Sequence, residues 1–469
     1  MTLGLDDEDR RTASRLLAEF FDRYEQSVAT APIVPQVDRD VLAGLLADPF
    51  PDKGIGVEGL FRAINEKILP NSTKVAHPRF LAYVQGPPNG VAPYAEAIAA
   101  TINQNCNFWQ LSPAASVIER AVVSWLAGLF GYGEASGGIL TSGGSVASLH
   151  ALTTALHERR PEFRAAGLQT SGPALVVYTS GEAHRCIDKA VAILGLGLDN
   201  VRHIATDSGH RMRVDALAEA VRADRAAGRE PFCVVATTGT VMSGAIDPIG
   251  PIADLCEREG LWLHIDGAYG GLFVLADRVH PAFDDCRRAD SIALDPHKLL
   301  FAPLEAGCLL VRDRANLARA YAFKSAYLTV EDDPLMVDYM DFGPQLSRGF
   351  KALKVWSALQ AFGVDSYRGV IDQVLQLAEH LRRRVEEDPN LELMAPVTLS
   401  AVCFRIKGWT EAQHAAVRAT LAEDGTALLG PARLGGRHGL RACVTNYRTT
   451  YADIDLVVDR ISELASCAS

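Results

Sequence analysis

Three short segments of this 469-residue chain set reactive side chains directly after apolar runs. Residues 139–155 read ILTSGGSVASLHALTTA, so an apolar stretch gives way to Ser142-Gly143-Gly144-Ser145 and then to a helical pattern. Glycines let backbone amides approach an anion, and a following helix N-terminus adds a favourable field. The lysine of a nucleotide P-loop is missing, which argues against an ATPase. An ordinary tight turn with a capped helix has the same pattern. Residues 261–271 read LWLHIDGAYGG, and Asp266 ends the apolar run. A carboxylate at a buried strand end needs donors or a positive partner, such as a protonated ring nitrogen; otherwise it caps a loop. Residues 291–300 read SIALDPHKLL, with Lys298 among apolar neighbours. Burial favours the neutral amine, which is a nucleophile suited to Schiff-base chemistry. A lysine that reaches out to solvent is the plain alternative.

The elements between these segments must bring them together. Apolar runs at 175–179, 201–204, 232–236, 261–265, 291–294 and 307–311 read as strands. Amphipathic stretches at 214–227 and 249–259 read as helices. FCVVA and LWLHI are apolar without alternation, as in strands covered on both faces of a parallel sheet. Strand–helix alternation predicts a doubly wound α/β domain, whose ligands sit at the carboxyl ends of the strands. His184 follows the run LVVYTS and Thr240 follows CVVATTG, so both fall at the same edge. A glycine-rich anion site, an aspartate and a lysine at one sheet edge describe a pyridoxal-phosphate site. The phosphate goes to the loop, the ring nitrogen to Asp266 and the aldehyde to Lys298. Gly195-Leu196-Gly197 is half of a dinucleotide fingerprint and lacks its third glycine. No His or Cys spacing suggests a metal, and none is expected.

The remaining sequence bounds the protein's class. Leu16, Leu17, Phe20, Phe21 and Tyr24 lie on one face of an N-terminal helix that needs a surface to lie on. Residues 30–53, rich in Pro, Gly and Asp, read as an extended connector. Residues 350–362 and 371–385 read as helices, followed by strand-like runs at 402–406 and 440–444, which predicts a smaller α+β domain. Net charge is −11, from 57 acidic and 46 basic residues, so neither nucleic acid nor a membrane surface is an expected partner. No apolar run approaches a membrane span, and the acidic start MTLGLDDEDRRTASR is unlike a signal peptide. The nine scattered cysteines lack any C-x-x-C, which predicts a reduced, cytoplasmic protein.

The ordered set of motifs resembles the group II pyridoxal-phosphate-dependent amino-acid decarboxylases, the family of the aromatic-L-amino-acid, glutamate and 2,4-diaminobutyrate enzymes. The matching stretches are HPRFLAY (77–83), TSGGS (141–145), EAH (182–184), TTGTVMSGAID (237–247), HIDGAYGG (264–271), DPHK (295–298), LSRGFKALKVW (346–356) and LRACVTNYRTT (440–450). The resemblance implies a fold type I transferase-like architecture. It divides the chain into a helical, dimer-wrapping segment over 1–85, a large cofactor domain with a mostly parallel sheet over 86–355, and a small α+β domain over 356–469. It implies an internal aldimine at Lys298 and a ring-nitrogen partner in Asp266. Ala268 would lie under the ring and His184 over it, with Thr240 in contact. Gly144, Ser145 and His297, with Asp295, would take the phosphate. Tyr327, in FKSAYLTVEDD, matches a loop tyrosine that protonates the substrate α-carbon. The implied reaction converts an L-amino acid to its amine and CO2 in a homodimer whose sites lie between subunits.

The substrate pocket departs from the aromatic enzymes. Tyr83, Gly86, Asn105, Asn107, Phe108 and Trp109 match pocket positions, but polar amides at Asn105 and Asn107 replace apolar residues, and Gly86 replaces a threonine. These changes point to a smaller or more polar side chain, or to amides that only support the dimer interface. Asn103, Gln104 and Trp109 resemble the 2,4-diaminobutyrate enzymes. Two other functions fit the motifs less fully: an aldehyde synthase, oxidase or other α-carbon lyase on the same site, and a non-catalytic interaction protein.

Overall fold

The computed structural model describes residues 3–168, 172–323 and 335–467. Strand β1 (Phe80–Leu81) joins a small sheet at the C-terminal end of the chain. Strands β2 (Gly137–Thr141), β3 (Leu175–Ser180), β4 (Val201–Ile204), β5 (Glu230–Thr237), β6 (Trp262–Gly267), β7 (Ser291–Leu294) and β8 (Gly307–Val311) build the main sheet, in the order β2-β8-β7-β6-β5-β3-β4. β4, β3, β5, β6 and β7 pair in parallel, and β8 runs antiparallel to both its neighbours. The sheet is therefore mostly parallel, as the unalternated apolar runs imply.

Both faces of the sheet are covered. Cys233 and Val235 of β5 share a buried cluster with Leu152, Leu156 and Ile187. Val234 and Ala236, one residue out of step, belong to the cluster of Ile249, Ile252 and Ile265. The period-two alternation of a strand thus sends consecutive apolar residues to helices on opposite sides. Helix Gly144–Arg159 packs on β5, β6, β7 and β8, and helix Ile249–Glu259 lies on the other face.

The small sheet also contains β9 (Leu391–Leu393), β10 (Ala401–Ile406), β11 (Leu428–Leu434) and β12 (Arg437–Cys443), in the order β1-β11-β12-β10-β9. Pairing of β1 with β11 is parallel, so residues near position 80 are built into the C-terminal layer. The two helices expected over 350–385 are one nearly continuous run, Lys351–Glu387, broken only at Gly363 (φ 70°, ψ 159°). Glycine adopts that left-handed φ without a Cβ penalty, and the second helix resumes at once.

Residues 30–53 correct the sequence reading, because the stretch is not all extended. Helix Arg39–Ala47 forms there, with Asp38 capping it by accepting hydrogen bonds from the Asp40 and Val41 amides. A local cap outweighed the composition. The N-terminal helix, Asp7–Ser27, has no fully buried residue. It touches the rest of the chain through Phe21, whose ring lies 5.2 Å from that of Tyr94, and through an ion pair of Glu25 with Arg448. Among the described residues, no helix is long and apolar enough to cross a membrane, and the eight described cysteine side chains are free and buried.

Candidate active site

The carboxyl ends of β6 and β7 and the glycine turn after β2 meet in one cluster. Lys298 lies on a single helical turn, Pro296–Leu299, just past β7. Its Nζ is 2.9 Å from Asp295 Oδ2, and its side chain is 21% exposed. The other Asp295 oxygen, Oδ1, is buried without a hydrogen-bond partner. His297 Nε2 lies 3.7 Å from Asp295 Oδ2, and its Nδ1 is 2.7 Å from the Ala306 carbonyl. Burial is the main influence on the His297 imidazole and lowers its pKa.

The glycine turn lies against this group. A Cβ at Gly144 would stand 2.6 Å from the Ala268 Cβ and 3.2 Å from Asp295 Oδ2. One at Gly143 would stand 3.5 Å from His297 Cε1. The two glycines open helix Gly144–Arg159, so its first amides and its positive end face the cluster. Ser145, on the first turn, is exposed. The turn read from sequence as an anion cradle is thus packed on Asp295, His297 and Ala268.

Asp266 ends β6 and is 5% exposed. Its Oδ1 accepts the Ala268 amide at 3.1 Å, and among the described residues it has no ion-pair partner. Burial raises its pKa, opposed by the Ala268 amide and by the charges of Lys298 and His184. His184 is exposed, and its Nδ1 accepts the Cys186 amide at 3.2 Å, so the neutral ring carries its proton on Nε2. Thr240 is fully buried in the turn after β5. Its hydroxyl pairs with Ser243 at 2.9 Å and accepts the Ala245 amide at 3.1 Å, so it is committed to its own turn.

These residues fit pyridoxal phosphate. The buried Asp266 carboxylate without an ion-pair partner suits a protonated pyridine, the Lys298 amine lies in the same cluster, and a helix N-terminus with glycine amides suits a phosphate. The orphaned Asp295 oxygen leaves an acceptor for a further donor at the same place.

The family described as the pyridoxal-dependent decarboxylase conserved domain matches residues 40–407. The chain belongs to the pyridoxal-dependent decarboxylase family. It is 34% identical over 473 residues to an L-2,4-diaminobutyrate decarboxylase of Rhizobium meliloti (strain 1021), covering 99% of this chain and 94% of that one. It is 31% identical over 472 residues to an aromatic-L-amino-acid decarboxylase of Bacillus atrophaeus, covering 99% and 97%. The crystal structure of Oryza sativa TDC with PLP and tryptamine superposes with a TM-score of 0.93 at 27% identity, covering 100% of both chains. As a member of this family, the protein is a lyase that uses pyridoxal phosphate to decarboxylate an amino acid.

The substrate-pocket candidates of this decarboxylase separate into two places. Gly86 is beside the lysine: a Cβ there would lie 2.9 Å from the Lys298 carbonyl, 2.9 Å from the Thr445 carbonyl and 2.7 Å from Phe301 Cδ1. Tyr83 is nearby in sequence and 56% exposed. Phe108 and Trp109 instead line a cleft of 880 Å³ with Arg120, Tyr132 and Arg314, which holds neither Lys298 nor Asp266. Asn105 Oδ1 accepts the Arg348 amide at 3.0 Å and Asn107 Oδ1 accepts the Phe108 amide at 2.9 Å. Asn107 is therefore engaged in holding its own segment, and Asn105 ties that segment to Arg348. Tyr327 lies outside the described residues.

Sequence reasoning missed Cys186, Ser148, His264 and Arg348. His264 could have been found: two residues before Asp266 on a strand, it shares that residue's face. Arg348 lies inside the LSRGFKALKVW stretch, but nothing local marks it as buried.

Proposed function

We propose that this chain decarboxylates an L-amino acid to its amine at the cluster around Lys298, as a homodimer in the cytoplasm. The observation that carries the reading is the convergence of the Lys298 amine, the orphaned Asp295 oxygen, the Gly144 turn and the buried Asp266 carboxylate from separate parts of the sequence.

Lys298 would hold the cofactor aldehyde covalently. Gly144 and Ser145 would take the phosphate with His297 and Asp295. Ala268 and His184 would bracket the ring, with Thr240 beside it. Once bound, pyridoxal phosphate supplies the electron sink into which the carboxylate's bonding pair flows. Asp266 keeps a proton at the ring nitrogen, and its dry surroundings strengthen that interaction. The Nε2–H of His184 would offer a donor to the bound group. Lys298, on its helical turn, would stay close to the reacting atoms throughout. Tyr327 would deliver a proton to the α-carbon; without that delivery, oxidation by dioxygen would shift the product from amine to aldehyde, with release of ammonia and hydrogen peroxide.

Two features support assembly of two copies. Leu46, Phe50, Tyr94 and Ile98 are 89%, 93%, 56% and 56% exposed, a large apolar area for a single chain. Phe108 and Trp109 line a cleft that does not include the lysine of their own chain, so a partner's site is a natural counterpart for them. The buried free thiols support a reducing compartment.

A screen of L-amino acids with aromatic, acidic, basic and branched side chains, read by mass spectrometry, tests the proposal. One or more amines and equimolar CO2 are expected. Aldehyde and peroxide in place of amine would move the protein to the aldehyde-forming reading, and no product from any substrate would end both. Light scattering tests the dimer, and an active monomer would overturn it. Cell fractionation tests the compartment.

A further inference from the structure

The residues beside Asp266 make buried polar contacts that the cofactor chemistry does not itself call for. Cys186 opens helix Cys186–Ile193 and is 5% exposed. Its Sγ lies 4.0 Å from Asp266 Oδ2, the oxygen not engaged by the Ala268 amide. Its backbone N–H donates to His184 Nδ1 at 3.2 Å. One residue thus touches two members of the site. The contacts continue behind it. Ser148, on the glycine-turn helix, is near enough to lower the thiol's pKa and lies 3.4 Å from His264 Nε2. His264 Nδ1 meets Ser291 Oγ at 2.9 Å, and Ser291 Oγ also accepts the Trp262 indole N–H at 2.9 Å. The links run from the phosphate helix through β6 to β7, all within the buried layer.

We propose that Cys186 is a positioning residue, its thiol orienting the Asp266 carboxylate toward the cofactor ring nitrogen. The inference rests on the reading of Asp266 as the ring-nitrogen partner. A carboxylate that pairs with the ring through one face needs its other lone pairs satisfied, or it rotates. Ala268 serves one oxygen, and Cys186 is the donor beside the other. Burial, then Asp266 itself, pushes the thiol pKa up to about 12, so the S–H remains a donor across the working pH range. The contact is at the outer limit for a thiol donor, which predicts a modest effect on binding and a clear one on orientation.

The test uses Cys186→Ala, Cys186→Val and Cys186→Ser, each purified as apoprotein and titrated with pyridoxal phosphate by fluorescence quenching. Visible circular dichroism of the loaded proteins reports the setting of the ring. Cys186→Ser keeps a donor and is expected to bind within about twofold of the wild type, with the same dichroism. Cys186→Ala and Cys186→Val are expected to bind about three- to tenfold more weakly, with altered dichroism. Melting of the apoproteins separates a folding defect from a cofactor defect, and if the alanine variant does not fold, the Val–Ser comparison decides. Wild-type affinity and dichroism in the donorless variants would overturn the proposal, as would a serine variant no better than alanine. Asp266→Asn is the control. If it too binds like the wild type, the reading of Asp266 has failed; if only the Cys186 variants are silent, that reading stands and this inference alone falls.

Discussion

Arg348 reaches across 229 residues of sequence to pair with Glu119 at 2.5 Å, with side chains 3% and 1% exposed. The same guanidinium donates to the Cys106 carbonyl at 2.8 Å and the Leu140 carbonyl at 3.1 Å, and Glu119 accepts the Leu140 amide at 2.9 Å. One buried pair therefore ties the residue 105–109 segment to β2, the strand that leads into the glycine turn.

Arg348→Met leaves the Glu119 carboxylate buried without its cation. A loss of about 3–5 kcal/mol is expected, because an unpaired buried charge costs more than the pair contributes. Adding Glu119→Gln should recover part of it. Urea denaturation at fixed protein and saturating cofactor concentration measures both.

Lys298→Ala is expected to abolish covalent cofactor capture, so borohydride treatment leaves no reduced cofactor on the protein. Asp266→Asn is expected to lower kcat by about a hundred- to a thousandfold through lost stabilisation of developing charge. Retained labelling of the first variant, or near-native turnover of the second, would contradict the assigned roles.

Gly86→Thr, which restores the aromatic enzymes' residue, is expected to destabilise the protein by about 1–3 kcal/mol rather than broaden its substrates. The new Cβ would meet two backbone carbonyls as well as the Phe301 ring. Phe301→Ala relieves only the ring contact, so it should not rescue the variant. Thermal melts of the single and double variants decide.

Acid should destabilise the fold through buried histidines. His150, on the glycine-turn helix, has its pKa lowered by burial, then by Arg348, from 6.5 to about 4. His264 is lowered by burial to about 3. Both stay neutral in the folded protein while the unfolded chain takes up protons. Their contribution is therefore complete above pH 6.5 and is lost as pH falls toward 4. Asp247, raised by burial to about 6, acts in the opposite sense, favouring the fold at low pH and losing that contribution as pH rises through 6. His150→Phe should make the acid slope shallower by one proton, about 1.4 kcal/mol per pH unit. An unchanged slope between pH 6 and pH 4.5 would show that His150 does not titrate in this way.

The sequence by itself determined the β3–β8 strands, the α/β class and the residues at the strand ends, because each rests on a local signal. Apolar runs without alternation mark strands covered on both sides, and Gly143-Gly144, Asp266 and Lys298 stand immediately beyond such runs. Only the tertiary structure decided what those residues touch. It paired Lys298 with Asp295, packed Gly144 on Ala268, and placed Cys186 beneath Asp266. It also placed Phe108 and Trp109 in a cleft whose lining does not include Lys298 and engaged the amides of Asn105 and Asn107. Local patterns fix which residues form an element and which face they occupy; the packing of distant elements fixes the distances on which charge, hydrogen bonding and catalysis depend.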